Sequence, residues 1–140
     1  MSTLYLSLGT NLGDRRSNLE TALTHIAREV GTIVSESDIN ETEPWGFEST
    51  NCFLNMVVKV ETQLPPLDVL HVTQDIERRL GRNHKTVNGE YHDRLIDIDI
   101  LLYDSLEMDT PELTIPHPRM YKRPFVMQPL AQIAPELVKD

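Results

Sequence analysis

Three segments of this chain alternate apolar and polar residues with a period of two. Between them lie segments with the period of a helix, and that interleaving leaves few folds open. Leu4, Leu6 and Leu8 share one side of the first alternating run. Leu54, Met56, Val58 and Val60 share one side of the second, with Phe53, Asn55 and Val57 on the other. Ile96, Ile98, Ile100 and Leu102 share a side of the third. Successive strand side chains point to opposite faces, so each run predicts a half-buried strand. A weaker strand is expected over 32–39. The stripe Leu19, Leu23, Ile26, Ala27 and Val30 predicts a helix that Gly31 stops. Val69, Val72, Ile76 and Leu80 predict a second, entered through Pro65-Pro66 and left at Gly81.

The resulting order, β-α-β-β-α-β, predicts an α/β (α+β) fold: a ferredoxin-like split βαβ sandwich. Its antiparallel sheet would have about four strands, with both helices on one face. The tail over 106–140 is rich in proline and is expected to add short elements, so that residues 1–140 form a single domain. A chain of 140 residues buries about two thirds of its unfolded surface, enough for a core without covalent staples.

The formal net charge is −9, from 13 basic and 22 acidic residues. A bulk charge of that sign repels nucleic acid, which is expected not to be a partner. The basic residues nevertheless crowd together: Arg78, Arg79, Arg82, Lys85 and Arg94 in one region, Arg119, Lys122 and Arg123 in another. Local basic clusters on an acidic protein suit a small anionic ligand. The single cysteine, Cys52, can form no internal disulfide, which points to a reducing compartment. The first residues lack a basic, apolar leader, and no apolar run is long enough to span a membrane. A cytoplasmic, monomeric protein is expected.

The sharpest local pattern is Arg94-Leu95-Ile96-Asp97-Ile98-Asp99-Ile100. Aliphatic side chains at the even positions must face the core, so Asp97 and Asp99 stand together on the opposite face. Residues i and i+2 of a strand lie about 6.5–7 Å apart, a spacing at which two carboxylates can share hard cations bridged by phosphate oxygens. A solvated sheet face is the alternative that the spacing alone leaves open. On the second helix, Gln74 and Glu77 lie three residues apart on the flank of the apolar stripe. Gly9-Thr10-Asn11-Leu12-Gly13-Asp14 has no lysine and is not a phosphate loop. A tight turn with Asp14 as helix cap accounts for it, leaving at most the shaping of a pocket wall. His117 stands between Pro116 and Pro118, which fix its backbone. The histidines form no zinc pattern, and Cys52 has no evident base partner. The polar stretch 83–93, with Gly89, reads as a working loop.

Read together, the motifs resemble those of the 6-hydroxymethyl-7,8-dihydropterin pyrophosphokinases of folate biosynthesis. The resemblance runs almost end to end. It rests on Gly9 to Arg15, Glu41 to Gly46, Phe53-Leu54-Asn55, Gln74 to Arg82, Asp93 to Asp99, and Ile115 to Met120 with Arg123-Pro124-Phe125. It implies an ATP-dependent diphosphokinase that transfers the β,γ-pyrophosphoryl unit to the pterin hydroxyl and releases AMP. It further implies that Asp97 and Asp99 hold two magnesium ions and that Phe53 and Phe125 sandwich the pterin. Asn55 would hydrogen-bond the pterin edge, with backbone help around Thr42, Pro44 and Trp45. Gln74, Glu77, Arg94, Ile98, Thr114, His117 and Arg123 would line the nucleotide side. Arg82 and Lys85, catalytic along with Arg94, would belong to a loop that closes over ATP. The sequence departs from the pattern at Tyr91-His92-Asp93, Glu112 and Pro118, all on the nucleotide side. Competing readings are a non-catalytic binding module on the same fold, and another metal-dependent phosphotransfer enzyme. The acid pair argues against the first, and the Phe53, Asn55 and Phe125 set against the second.

Overall fold

The computed structural model describes residues 1–42, 52–81 and 95–138. Strand β1 (Ser2–Thr10) leads into α1 (Arg15–Glu29), then β2 (Gly31–Glu36), β3 (Asn40–Thr42) and β4 (Phe53–Thr62). Helix α2 (Pro66–Leu80) and β5 (Asp97–Tyr103) follow. A two-residue ribbon, β6 (Met108–Asp109) with β7 (Thr114–Ile115), precedes α3 (Pro124–Ile133). Short 3-10 turns flank α3 at Met120–Lys122 and Pro135–Leu137.

The main sheet has the order β2-β4-β1-β5, antiparallel throughout, with β3 continuing along the β4 edge beyond β2. This is the split βαβ arrangement: β4 is inserted between β1 and β2, the two strands that α1 connects. Leu4, Leu6 and Leu8 interleave with Met56, Val58, Val60, Ile98 and Ile100 on one face, and α1 and α2 close over them with Leu19, Ile26, Val69 and Ile76. Asp14 caps α1: its carboxylate accepts the Ser17 N–H at 3.1 Å. Asn18 donates through Nδ2 to the Leu12 carbonyl at 2.8 Å, and Gly13 takes a positive φ of 67°, so the turn from β1 is closed by its own side chains.

The sheet differs from the expected one in three ways. The strand expected over 32–39 is β2, which ends at Glu36 and carries a register shift against β4 between Ile33 and Ser35, and a separate short strand, β3, follows at Asn40–Thr42. The tail builds a ten-residue helix, α3, which covers the face away from α1 and α2. Pro124 and Pro129 mask its period, although Val126 and Leu130 face the sheet. Finally, β5 changes phase. Tyr5 pairs with Leu102 but Leu6 pairs with Ile100, so Leu101 is the extra residue of a bulge. Ile96, Ile98 and Ile100 enter the helix-side core as their alternation predicts, whereas Leu102 packs against the α3 side and Tyr103 against the helix side.

Candidate active site

The register of the sheet sets out the site. On the face away from α1 and α2, Gly9 of β1 pairs with Asn55 of β4 on one side and with Asp97 of β5 on the other. One row further, Ser7 lies between Val57 and Asp99. Directly paired residues of antiparallel strands share a face. Asn55 and Asp97 therefore look out from one row, two strand spacings or about 10 Å apart. Thr42 pairs with Phe53 at the outer end of the same surface. The Asn55 amide is oriented by this neighbour: its Nδ2 donates to Thr42 Oγ1 at 2.6 Å. Asn55 is 4% exposed.

Because β5 is an edge strand, its outward N–H groups need partners. Glu77 of α2 reaches around that edge, and its Oε2 accepts the Ile98 N–H at 2.7 Å. Burial, the neighbouring Asp97 carboxylate, a hydrogen bond shared with Asp97, and Asp99 together push the Glu77 carboxyl up to about 9, against the Ile98 N–H, which lowers it. Glu77 is thus drawn to the acid pair. Gln74, one turn earlier on α2, is exposed. The Ile98 side chain is buried in the helix-side core, and the N–H of that residue meets Glu77 at the edge.

Beyond the edge lies an open cleft of about 250 Å³, with Ile98, Asp99 and Ile100 on one wall and Thr114 and His117 on another. The His117 N–H donates to the Leu101 carbonyl at 3.0 Å, which ties the Pro-His-Pro segment to β5 just past the acid pair. The Arg119 N–H donates to His117 Nδ1 at 3.2 Å, so the proton of the neutral ring sits on Nε2. Burial, then the nearby Arg123 and Arg119 charges, lower the His117 pKa, with Asp97 opposing, and the ring is neutral near pH 7. Arg123 is 6% exposed. Its Nη1 lies 3.9 Å from Asp99 Oδ2, and its guanidinium carbon stands 5.5 Å from the centre of the Phe125 ring. Phe125, the second residue of α3, packs against the cluster of Tyr5, Val57 and Leu101, on the face of the sheet that Phe53 shares with Val57.

The structure thus gathers Asp97, Asp99, Glu77, His117, Arg123 and Thr114 around the β5 edge, and Thr42, Phe53 and Asn55 on the surface beside it. Pro44, Trp45, Arg82, Lys85 and Arg94, and the loop over 83–93, lie outside the described residues. Glu112 and Pro118, two of the departures, line the cleft. One residue had only motif status in the sequence. Arg15 Nη1 donates to Glu41 Oε2 and to the Cys52 carbonyl, each at 2.8 Å, and so ties β3 to the start of β4. Its place at the end of the Gly9–Arg15 motif was the available signal.

Among the described residues, no three or more His, Cys, Asp or Glu side chains converge as a metal cage. The donor chemistry still fits magnesium, which is held by one or two protein carboxylates completed by substrate phosphates. Burial first, and then the two outward carboxylates, hold Glu77 protonated, and a cation beside Asp97 and Asp99 would relieve the part that their charge contributes.

The fold and this site define a class: a ferredoxin-like α/β domain with paired carboxylates between an amide-and-aromatic surface and an open polar cleft. Residues 5–135 match the family described as 7,8-dihydro-6-hydroxymethylpterin-pyrophosphokinase. A Porphyromonas gingivalis protein named 2-amino-4-hydroxy-6-hydroxymethyldihydropteridine pyrophosphokinase is 53% identical, over 98% of this chain and 94% of its own. A Bacillus subtilis protein of the same name is 41% identical, over 97% of this chain and 80% of its own. The chain belongs to the 7,8-dihydro-6-hydroxymethylpterin-pyrophosphokinase family. A crystal structure of Plasmodium falciparum HPPK-DHPS superimposes with a TM-score of 0.72 over 97% of this chain at 19% identity, which shows the shared fold. The present chain spans 40% of that longer one.

Proposed function

We propose that the sheet face and the edge cleft are the two halves of one active site, with the pterin on the β4 side and ATP on the β5 side. The reaction is the transfer of pyrophosphate from ATP to the hydroxymethyl group of 6-hydroxymethyl-7,8-dihydropterin, with release of AMP, in folate biosynthesis. The carrying observation is the register: Asn55, Gly9 and Asp97 occupy one row, so the pterin-recognising amide and the acid pair face outward side by side.

On the pterin side, Phe53 and Phe125 clamp the flat ring by offset stacking. Asn55, with Nδ2 committed to Thr42, presents its carbonyl oxygen to ring N–H groups. Backbone groups at Pro44 and Trp45 complete the edge. On the nucleotide side, Thr114 and the Ile98 backbone border the base and sugar, with Glu77 and Gln74 on the α2 flank. His117, neutral with its proton on Nε2, donates to a phosphate oxygen without adding a charge that would bind the ground state too tightly. Arg123 is held beside Asp99, where the phosphate chain meets the acid pair, and balances charge there. Arg82, Lys85 and Arg94 add cations around the leaving group. Two magnesium ions on Asp97 and Asp99 would supply charge neutralisation at the phosphate oxygens. The hydroxyl oxygen attacks the β-phosphorus as the bond to the α-phosphate oxygen breaks; AMP leaves and the hydroxyl proton passes to solvent. Such a displacement needs positioning and charge balance rather than a protein nucleophile.

The acidic balance of the chain speaks against nucleic acid as a partner, and the lone cysteine supports a cytoplasmic site. No helix among the described residues is long and apolar enough to cross a membrane. Phosphorus NMR of the protein with magnesium, ATP and hydroxymethyl dihydropterin tests the reaction. AMP and a pterin diphosphate are expected; ADP as the main nucleotide product would overturn it.

A further inference from the structure

We infer that Gly9 determines specificity for the pterin's one-carbon arm: its missing side chain is the slot through which the hydroxymethyl group passes from the Asn55 side to the Asp97 side. The inference rests on placing the pterin at Asn55 and Phe53, as above.

Gly9 is the middle member of the Asn55–Gly9–Asp97 row. A Cβ added there would stand 3.0 Å from Asn55 Oδ1 and 3.6 Å from Phe53 Cδ1, so both side chains it would meet belong to the pterin surface. The backbone does not call for glycine, since Gly13 is the one glycine with positive φ among the described residues. Close packing of the backbone does not call for it either. At Gly31 an added Cβ would collide with the Glu61 carbonyl at 2.1 Å, whereas the nearest backbone atom to a Gly9 Cβ is the Leu54 carbonyl at 4.0 Å. Glycine inside a strand weakens it and marks a place where something approaches the backbone closely. The row belongs to neither apolar core: α3 covers the neighbouring rows at Tyr5, Val57 and Leu101. Two strand spacings, about 10 Å, separate the recognition amide from the first carboxylate. The edge of a bicyclic ring plus one methylene spans that gap, provided that nothing rises from the middle strand.

The test compares Gly9→Ala with wild type by calorimetric binding of 6-hydroxymethylpterin, of pterin unsubstituted at C6, and of a non-hydrolysable ATP analogue with magnesium. The methyl group crowds Asn55 Oδ1 for either pterin, so the expected result is a loss for the hydroxymethyl compound at least tenfold larger than that for the unsubstituted one, with nucleotide affinity unchanged. Equal losses for both pterins would mean that the methyl group acts by displacing Asn55 or Phe53, and no loss would mean that the slot is not used; either overturns the inference. Should Gly9→Ala fold poorly, wild type carries the test through a pterin with a branched 1-hydroxyethyl arm. At least tenfold weaker binding than the hydroxymethyl compound is expected, and equal binding refutes the slot. Asn55→Ala, measured alongside, separates the two levels: if it leaves both pterins bound as in wild type, the pterin surface itself is misplaced.

Discussion

Replacing Glu77 by glutamine should change how the metal-free protein's stability depends on pH. Glu77 Oε2 accepts the Ile98 N–H at 2.7 Å, and its carboxyl is pushed up to about 9 by burial and by the Asp97 and Asp99 carboxylates. In the unfolded chain the same group titrates near 4.3. Between these values the native state holds a proton that the unfolded state gives up, so stability falls as pH rises across the window. The full slope is about 1.4 kcal/mol per pH unit, or about 4 kcal/mol from pH 5 to pH 8. Glu77 sits at a sheet edge and is only partly buried, so solvent screening brings the expected loss to about 2 kcal/mol. For a domain of this size that is roughly 6–10 °C in Tm. Glutamine keeps the acceptor for Ile98, offers an N–H to Asp97, and does not titrate. Thermal unfolding in EDTA at pH 5, 6, 7 and 8 should therefore show Glu77→Gln matching wild type at pH 5 and exceeding it increasingly above. The lowered His117 pKa contributes with the opposite sign, since stability is lost as pH falls below its ordinary value, but it is common to both proteins and cancels in the difference. Parallel Tm profiles for wild type and variant would refute the reasoning.

Four further outcomes follow from the geometry. Asp97→Asn or Asp99→Asn should lower kcat by about 100-fold or more without lowering Tm, because both side chains face away from the helix-side core and their charges disfavour ionised Glu77; activity within a few-fold of wild type would remove them from the chemistry. Asn55→Ala should weaken pterin binding by about 1–3 kcal/mol, and Phe53→Ala or Phe125→Ala by about 0.5–1.5 kcal/mol beyond lost contact area, with MgATP affinity unchanged by calorimetry. Arg15→Ala, which frees Glu41 and the Cys52 carbonyl together, should raise KM for the pterin several-fold while KM for ATP stays constant, and Arg15→Lys should recover part of the loss. Gly31→Ala places a methyl group 2.1 Å from the Glu61 carbonyl, and chemical denaturation should show a loss of about 3 kcal/mol or more, since backbone rather than a flexible side chain must yield.

The parts legible in the sequence are those governed by local period. Alternation in Leu4–Leu8, Leu54–Val60 and Ile96–Ile100 reports which face of each strand is apolar, and it does so whatever the neighbours are, because successive side chains must point to opposite sides. The helix stripes and the Asp14 cap are equally local. The acid pair was visible for the same reason: between aliphatic positions, Asp97 and Asp99 have only the other face to occupy. Helix α3 was harder to see, since Pro124 and Pro129 interrupt the period by which a helix is recognised.

Other features depend on which strands become neighbours, and local period says nothing about that. Leu102 leaves the helix-side core because β5 bulges at Leu101 against β1, a property of the pair rather than of either strand. Glu77 meets Asp97 only because α2 packs along the open edge of β5; in the sequence the two lie twenty residues apart, and Glu77 reads as an ordinary helix flank. Arg15 acquires a role only when β3 and the start of β4 are brought within reach of one guanidinium. Composition and periodicity determined the element order, the buried faces and the chemistry on offer, because these follow from each residue and its near neighbours along the chain. The row Asn55–Gly9–Asp97 was decided by the tertiary structure alone, because a shift of one residue in either strand pairing would move Asn55 or Asp97 off Gly9's row, and only packing of the whole sheet selects the register.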